Sequence, residues 1–178
     1  MANTTFQGPV TSKAGFITTG PANVVDADSS VSLTVATHSG KIVHNDAAGT
    51  VTYTLPATNA NSDSAVAGPG ADLNNLSNVG AKFEIFASIT KTGDFVVQVA
   101  NATDVMIGSA TFIDDTSDNV VGFETASTSD TITLNGSTTG GVTFAKIECT
   151  VIASGKYKVD VITGCTSTPA TPFSAAVS

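Results

Sequence analysis

The sequence predicts an all-β protein: an antiparallel β-sandwich or barrel-like single domain with few or no helices. Short Val/Ile/Thr/Phe runs alternate with Gly/Ser/Asn/Asp turns from Val31 to Gly164. β-branched side chains suit a pleated, half-buried surface and are poor helix formers. The chain has 178 residues, 41% of them hydrophobic, which is enough for one sizeable core. No shift in composition divides it into two domains.

Residues 1–23 read as an N-terminal arm, because Gly8-Pro9, Gly15 and Gly20-Pro21 interrupt apolar residues of no sustained period. Residues 24–178 form the β domain. Strands are expected at 31–37, 41–44 and 50–55, the first two linked through Ser39-Gly40 and the third placing Val51, Tyr53 and Leu55 on one face. Residues 56–80 make a long loop, with a short helix suggested by Leu73, Leu76 and Val79.

Phe83, Ile85, Ala87 and Ile89 then alternate, as do Phe95, Val97 and Val99, and Thr92-Gly93-Asp94 between them reads as a hairpin turn. Further strands are expected at 104–108, 111–113, 119–124 and 131–134. The strongest hairpin signal comes last. Ala145, Ile147, Cys149, Val151 and Ala153 share one face, and Tyr157, Val159 and Val161 another. The two faces coincide only across an odd-numbered connection. A three-residue Ser154-Gly155-Lys156 loop satisfies this and pairs Val151 with Val159. In that register Cys165 lies too far from Cys149 for a disulfide, and cytosolic synthesis also favours free thiols. The tail after Cys165 reads as extended chain over a sheet edge or on a neighbouring subunit.

Charge and composition narrow the function. Charged residues make up 12% of the chain, the net charge is −8, and seven lysines stand without a single arginine. A basic stripe for nucleic acid is therefore missing, and an anionic membrane surface is disfavoured. No direct nucleic-acid or membrane partner is expected. The opening residues show no secretory signal, which points to synthesis in a cytosol.

Candidate chemistry is sparse, and no catalytic residue, metal or cofactor is expected. His38 and His44 read as hydrogen-bonded sheet histidines, and Cys149 as a small core residue. Asp114-Asp115-Thr116-Ser117-Asp118 lacks the Gly and closing Glu of a calcium loop and reads as a solvated acidic turn. Asp26 and Asp28 are weaker ion candidates still. Glu84 and Glu148 fall on the side opposite the apolar face, and a carboxylate pair for glycoside cleavage would also have to draw on residues such as Glu124. Gly136 to Gly141 lacks the strand, helix and lysine of a phosphate cradle.

The string Thr5-Phe6-Gln7-Gly8-Pro9-Val10-Thr11-Ser12-Lys13-Ala14-Gly15-Phe16 resembles the openings of virion structural proteins of tailed bacteriophages. Thr54-Leu55-Pro56, Asp130-Thr131-Ile132-Thr133-Leu134-Asn135-Gly136-Ser137, Ala153-Ser154-Gly155-Lys156-Tyr157 and Pro172-Phe173-Ser174 are similar to stretches of small all-β capsid decoration (cement) or head-fibre proteins. Those proteins often carry Trp where Tyr157 stands. The resemblance implies a non-enzymatic protein on the capsid surface, a homotrimer bound to the major capsid protein and stabilising the shell. Phe6, Pro9, Val10 and Phe16 are the expected docking contacts of the arm. The alternative is a head- or tail-fibre module recognising host glycans.

Overall fold

The computed structural model describes residues 24–59, 77–114, 117 and 119–177. The expected arm with Phe6, Pro9, Val10 and Phe16, the helix at Leu73 and Leu76, and Asp115 and Asp118 lie outside the described residues. The chain is all-β, as its alternation predicts. Its strands are β1 (Val24–Asp26), β2 (Val31–Ser32), β3 (Ile42–Asn45), β4 (Val51–Thr54), β5 (Lys82–Ala87), β6 (Phe95–Gln98), β7 (Val105–Asp114), β8 (Asn119–Glu124), β9 (Thr131–Leu134), β10 (Ala145–Ala153), β11 (Lys156–Cys165) and β12 (Phe173–Ser174). Among the described residues one single-turn helix, α1 (Val35–His38), follows β2, where the sequence predicts a continuing strand. The Thr34 hydroxyl caps it by accepting the Thr37 N–H at 3.3 Å.

The strands form a seven-stranded sheet, β1-β3-β5-β10-β11-β7-β8, and a five-stranded sheet, β12-β9-β6-β4-β2. From β1 to β6 each step carries the chain from one sheet to the other. Every second strand then lies beside its predecessor and runs the same way, so β1–β3, β3–β5, β2–β4 and β4–β6 are parallel. β7 and β11 are parallel as well. This corrects the antiparallel expectation to mixed sheets: among the described residues, antiparallel pairing joins β5–β10, β10–β11, β7–β8, β6–β9 and β9–β12. Ser39-Gly40 and Thr92-Gly93-Asp94 therefore turn the chain between sheets and close no hairpin. Alternation reports which face of a strand is buried, and carries no information on which strand lies next to it.

The β10–β11 hairpin is present, with its register displaced by two residues. Cys149 opposes Val159 and Val151 opposes Tyr157, whereas Ala153 opposes Lys156 across the two-residue turn Ser154-Gly155. The odd residue demanded by the side-chain pattern is Ile152, a bulge within β10, and not a third loop residue. Cys149 and Cys165 are both buried, and no disulfide joins them. Cys165 sits six residues along β11 from the partner of Cys149, about 20 Å at ordinary strand rise.

The inward faces of both sheets feed one buried cluster. Val43, Phe83, Ile85, Met106, Phe112, Ile147, Cys149, Tyr157 and Val159 enter it from the larger sheet, and Val51, Tyr53, Phe95, Val97, Ile132, Leu134 and Phe173 from the smaller. Each large apolar side chain so buried contributes about 1.5–3 kcal/mol. With no tryptophan, the phenyl and phenol rings fill the bulk, Tyr53 meeting Phe95 edge-on at 5.1 Å. Polar ties are few and satisfied. Asn45 Nδ2 of β3 donates to the Tyr53 hydroxyl of β4 at 2.9 Å, and the Tyr157 hydroxyl donates to the Pro56 carbonyl at 2.5 Å. The tail runs along the edge of the smaller sheet, Phe173 opposite Ile132, with buried Asp130 accepting the Ala176 N–H at 2.8 Å.

Candidate functional site

The outward face of the seven-stranded sheet is the most structured surface of the molecule. Strand alternation turns the residues between core positions outward, and register aligns them in rows. One row reads Ile42, Glu84, Glu148, Asp160, Ser109, Glu124 across β3, β5, β10, β11, β7 and β8. The next reads His44, Phe86, Lys146, Ile162, Thr111, Gly122. Glu84 and Glu148 stand directly opposite each other on this outer side, as their sequence position predicts.

Like charges side by side repel, so the row holds only because lysines interleave it. Lys82 reaches Glu148 at 2.8 Å, Lys146 reaches Glu84 at 2.9 Å and Glu148 at 3.5 Å, and Lys158 pairs with Asp160. The hydrogen bond from Lys82 holds the Glu148 carboxyl below the ordinary glutamate range. The hydrogen bond to Glu84 raises Lys146. Lys146 also lies 5.9 Å from the centre of the Phe86 ring. The carboxylates are thus occupied in ion pairs, which suits a rigid surface better than proton transfer.

Beside this lattice the same face turns apolar. Val120 is 72% exposed, Phe144 52%, Ile162 50% and Ile113 48%, with Ile107 and Ile152 also exposed near the opposite end of β7 and β10. Phe144 lies over Gly164, where an added Cβ would stand 2.8 Å from the ring and 2.6 Å from Val142. A groove of about 400 Å³ runs there between Ile113, Phe144, Val142 and Thr166. A shallower depression of about 300 Å³ lies between Lys146, Glu148, Asp160 and Ile162. Sequence reading misses this patch, because each of its apolar residues sits singly among polar ones and only the register assembles them.

A second constellation is equally invisible in sequence. His44 lies between Asp26 and Ser88, with Nδ1 at 3.0 Å from Asp26 Oδ1 and Nε2 at 2.9 Å from the Ser88 hydroxyl. Parallel pairing of β1, β3 and β5 brings together residues 18 and 44 positions apart. The connectivity is that of a nucleophile triad. The Asp26 side chain, however, is 68% exposed, where water weakens its effect on the imidazole. The Ser88 N–H is spent on the Asn45 carbonyl at 3.1 Å and cannot stabilise an oxyanion. The array's evident effect is to fasten the three-residue strand β1 to β3 and to the end of β5.

The remaining sequence candidates are dispersed. His38 is buried in α1, its Nδ1 accepting the Thr34 N–H at 2.9 Å. Asp114 is buried and accepts a hydrogen bond from the Ser117 hydroxyl, while Glu124 is exposed on β8. Burial pushes the Cys149 thiol far up, in keeping with an inert core residue. Among the described residues no group of three or more His, Cys, Asp or Glu could hold a metal ion, and no helix is long and apolar enough to cross a membrane. Comparison with family models, with curated proteins and with solved structures finds no match.

Proposed function

We propose that this chain is a non-enzymatic capsid decoration (cement) protein of a bacteriophage, bound as a trimer to the major capsid protein on the outer surface of the head and stabilising the shell. The observation that carries the reading is the outer face of the seven-stranded sheet, where an ordered ion-pair lattice adjoins Val120, Phe144, Ile162 and Ile113. A contiguous apolar patch on an otherwise polar surface marks an association site. The sequence resemblance gives that association its setting. Contacts that are weak singly reinforce a lattice when symmetry repeats them. The arm, through Phe6, Pro9, Val10 and Phe16, adds contacts to a neighbouring subunit or the shell in this reading, for example by strand addition at a sheet edge.

Imaging of particles that carry the protein tests the proposal. Copies spread over the whole head support it. A few copies at one vertex, together with glycan binding by the isolated protein, would replace it with the fibre reading. Deletion of residues 2–20 is expected to lower occupancy on purified heads, and undiminished occupancy would remove the arm from the account.

A further inference from the structure

Away from the outer face, one lysine enters the core. Lys91 precedes β6 and is 2% exposed, although its side chain ends in an amine. Two glycines make its entry possible. A Cβ on Gly136, at φ +77°, would stand 1.8 Å from the Lys91 carbonyl oxygen, and one on Gly141, at φ +100°, 3.3 Å from Lys91 Cγ. The glycine-rich segment from Gly136 to Gly141 thus serves as the notch through which this side chain passes. Inside, Lys91 Nζ donates to the side-chain oxygen of Asn45 and to the Ala47 carbonyl at 2.7 Å, with the Phe95 ring centre at 4.7 Å.

Asn45 is fully buried. Its Nδ2 donates to the Ala27 carbonyl at 2.7 Å and to the Tyr53 hydroxyl at 2.9 Å. The amine nitrogen of Lys91 is therefore held against the oxygen of a carboxamide and beneath an aromatic ring, while a phenol contacts the carboxamide nitrogen, all of them buried.

We propose that Lys91 and Asn45 are the two halves of an intramolecular isopeptide bond, formed by the folded protein itself. The Lys91 amine, in its neutral form, adds to Asn45 Cγ. The Cγ–Nδ2 bond then breaks, one proton passes from Nζ to Nδ2, and ammonia leaves, so amine and carboxamide become a secondary amide. No oxidant, reductant or cofactor enters the balance. The Tyr53 hydroxyl accepts from Nδ2 and donates to the Ala27 carbonyl, so it can turn its proton to the departing nitrogen, and burial raises its pKa to about 12, so it remains protonated. Burial likewise favours the neutral amine by lowering the Lys91 pKa, against the opposing pull of Asp28 and Asp46. The oxygen of Asn45 survives in the product, and the remaining N–H on Nζ can still donate to Ala47. The bond joins β3 of the larger sheet to the segment entering β6 of the smaller.

Mass spectrometry of the full-length protein tests this directly. Its intact mass should fall one ammonia below that of the unlinked chain. Trypsin should release residues 42–82 joined to residues 83–146, uncut after the acylated Lys91. Lys91→Met and Asn45→Ala should restore the unlinked mass, whereas Asn45→Asp should reach the same product by losing water. Tyr53→Phe should slow formation about a hundred-fold, the usual scale for a lost proton-transfer group. Recovery of peptides 42–82 and 83–91 as separate species from the wild-type protein would overturn the proposal, and this readout requires no variant to fold.

Discussion

Tyr157 shows how one polar atom decides the value of a buried ring. It is fully buried, and its hydroxyl satisfies the Pro56 carbonyl where the chain leaves β4. Tyr157→Phe keeps the ring and strands that carbonyl, at a cost of about 1–3 kcal/mol, which a urea unfolding midpoint would register. Glu148 governs acid behaviour at the same scale. Its folded-state pKa lies below the 4.5 of the free side chain, so its contribution is complete above that value and is lost as pH falls through the lower one. Glu148→Gln is therefore expected to narrow the stability difference between neutral and acid pH by about 0.5–1 kcal/mol, measured by urea unfolding at both. The outward position of Glu148 is readable from alternation alone. Its two lysine partners are not, since Lys82 and Lys146 reach it through strand pairing.

At the scale of elements, strands were more legible than their partners. Val51, Tyr53 and Leu55 are buried together as their spacing implies, and so are Phe83, Ile85 and Ala87. Ile89 continues the same alternation in sequence yet lies beyond the end of β5 and is 39% exposed, because the chain there leaves for the other sheet. The two segments expected at 104–108 and 111–113 are one ten-residue strand, β7. Gly108, the last residue of the first segment, is required by close approach: a Cβ there would stand 1.7 Å from the Val159 carbonyl oxygen of β11. Gly108→Ala should cost about 3 kcal/mol through forced separation of β7 and β11, visible as a lowered thermal midpoint. The parallel pairing of these two strands leaves no local mark, because the segments that pair lie about fifty residues apart. Residues that only such pairing assembles, including Asp26, His44 and Ser88, were beyond sequence reading for the same reason.

For the whole molecule, the exposed apolar end of the larger sheet is the surface on which the proposed association rests. Replacing Val120 and Ile162 together by Asp should leave the circular dichroism spectrum unchanged, since both side chains point away from the core. Self-association or head binding, read by light scattering or co-sedimentation, should fall at least about ten-fold. A covalent tie between residues 45 and 91 would add about 4 kcal/mol if it acts on the unfolded chain as other cross-links of that loop length do. The order of strands has a mechanical consequence as well. Among the described residues β1 is the first strand and the outermost in its sheet, bonded to β3. Tension applied at Val24 would thus load a three-residue strand clasped by His44, and would peel it away before disturbing the strands behind it. The body behind it can stay intact while its leading edge yields, so this strand serves the molecule as a mechanical fuse.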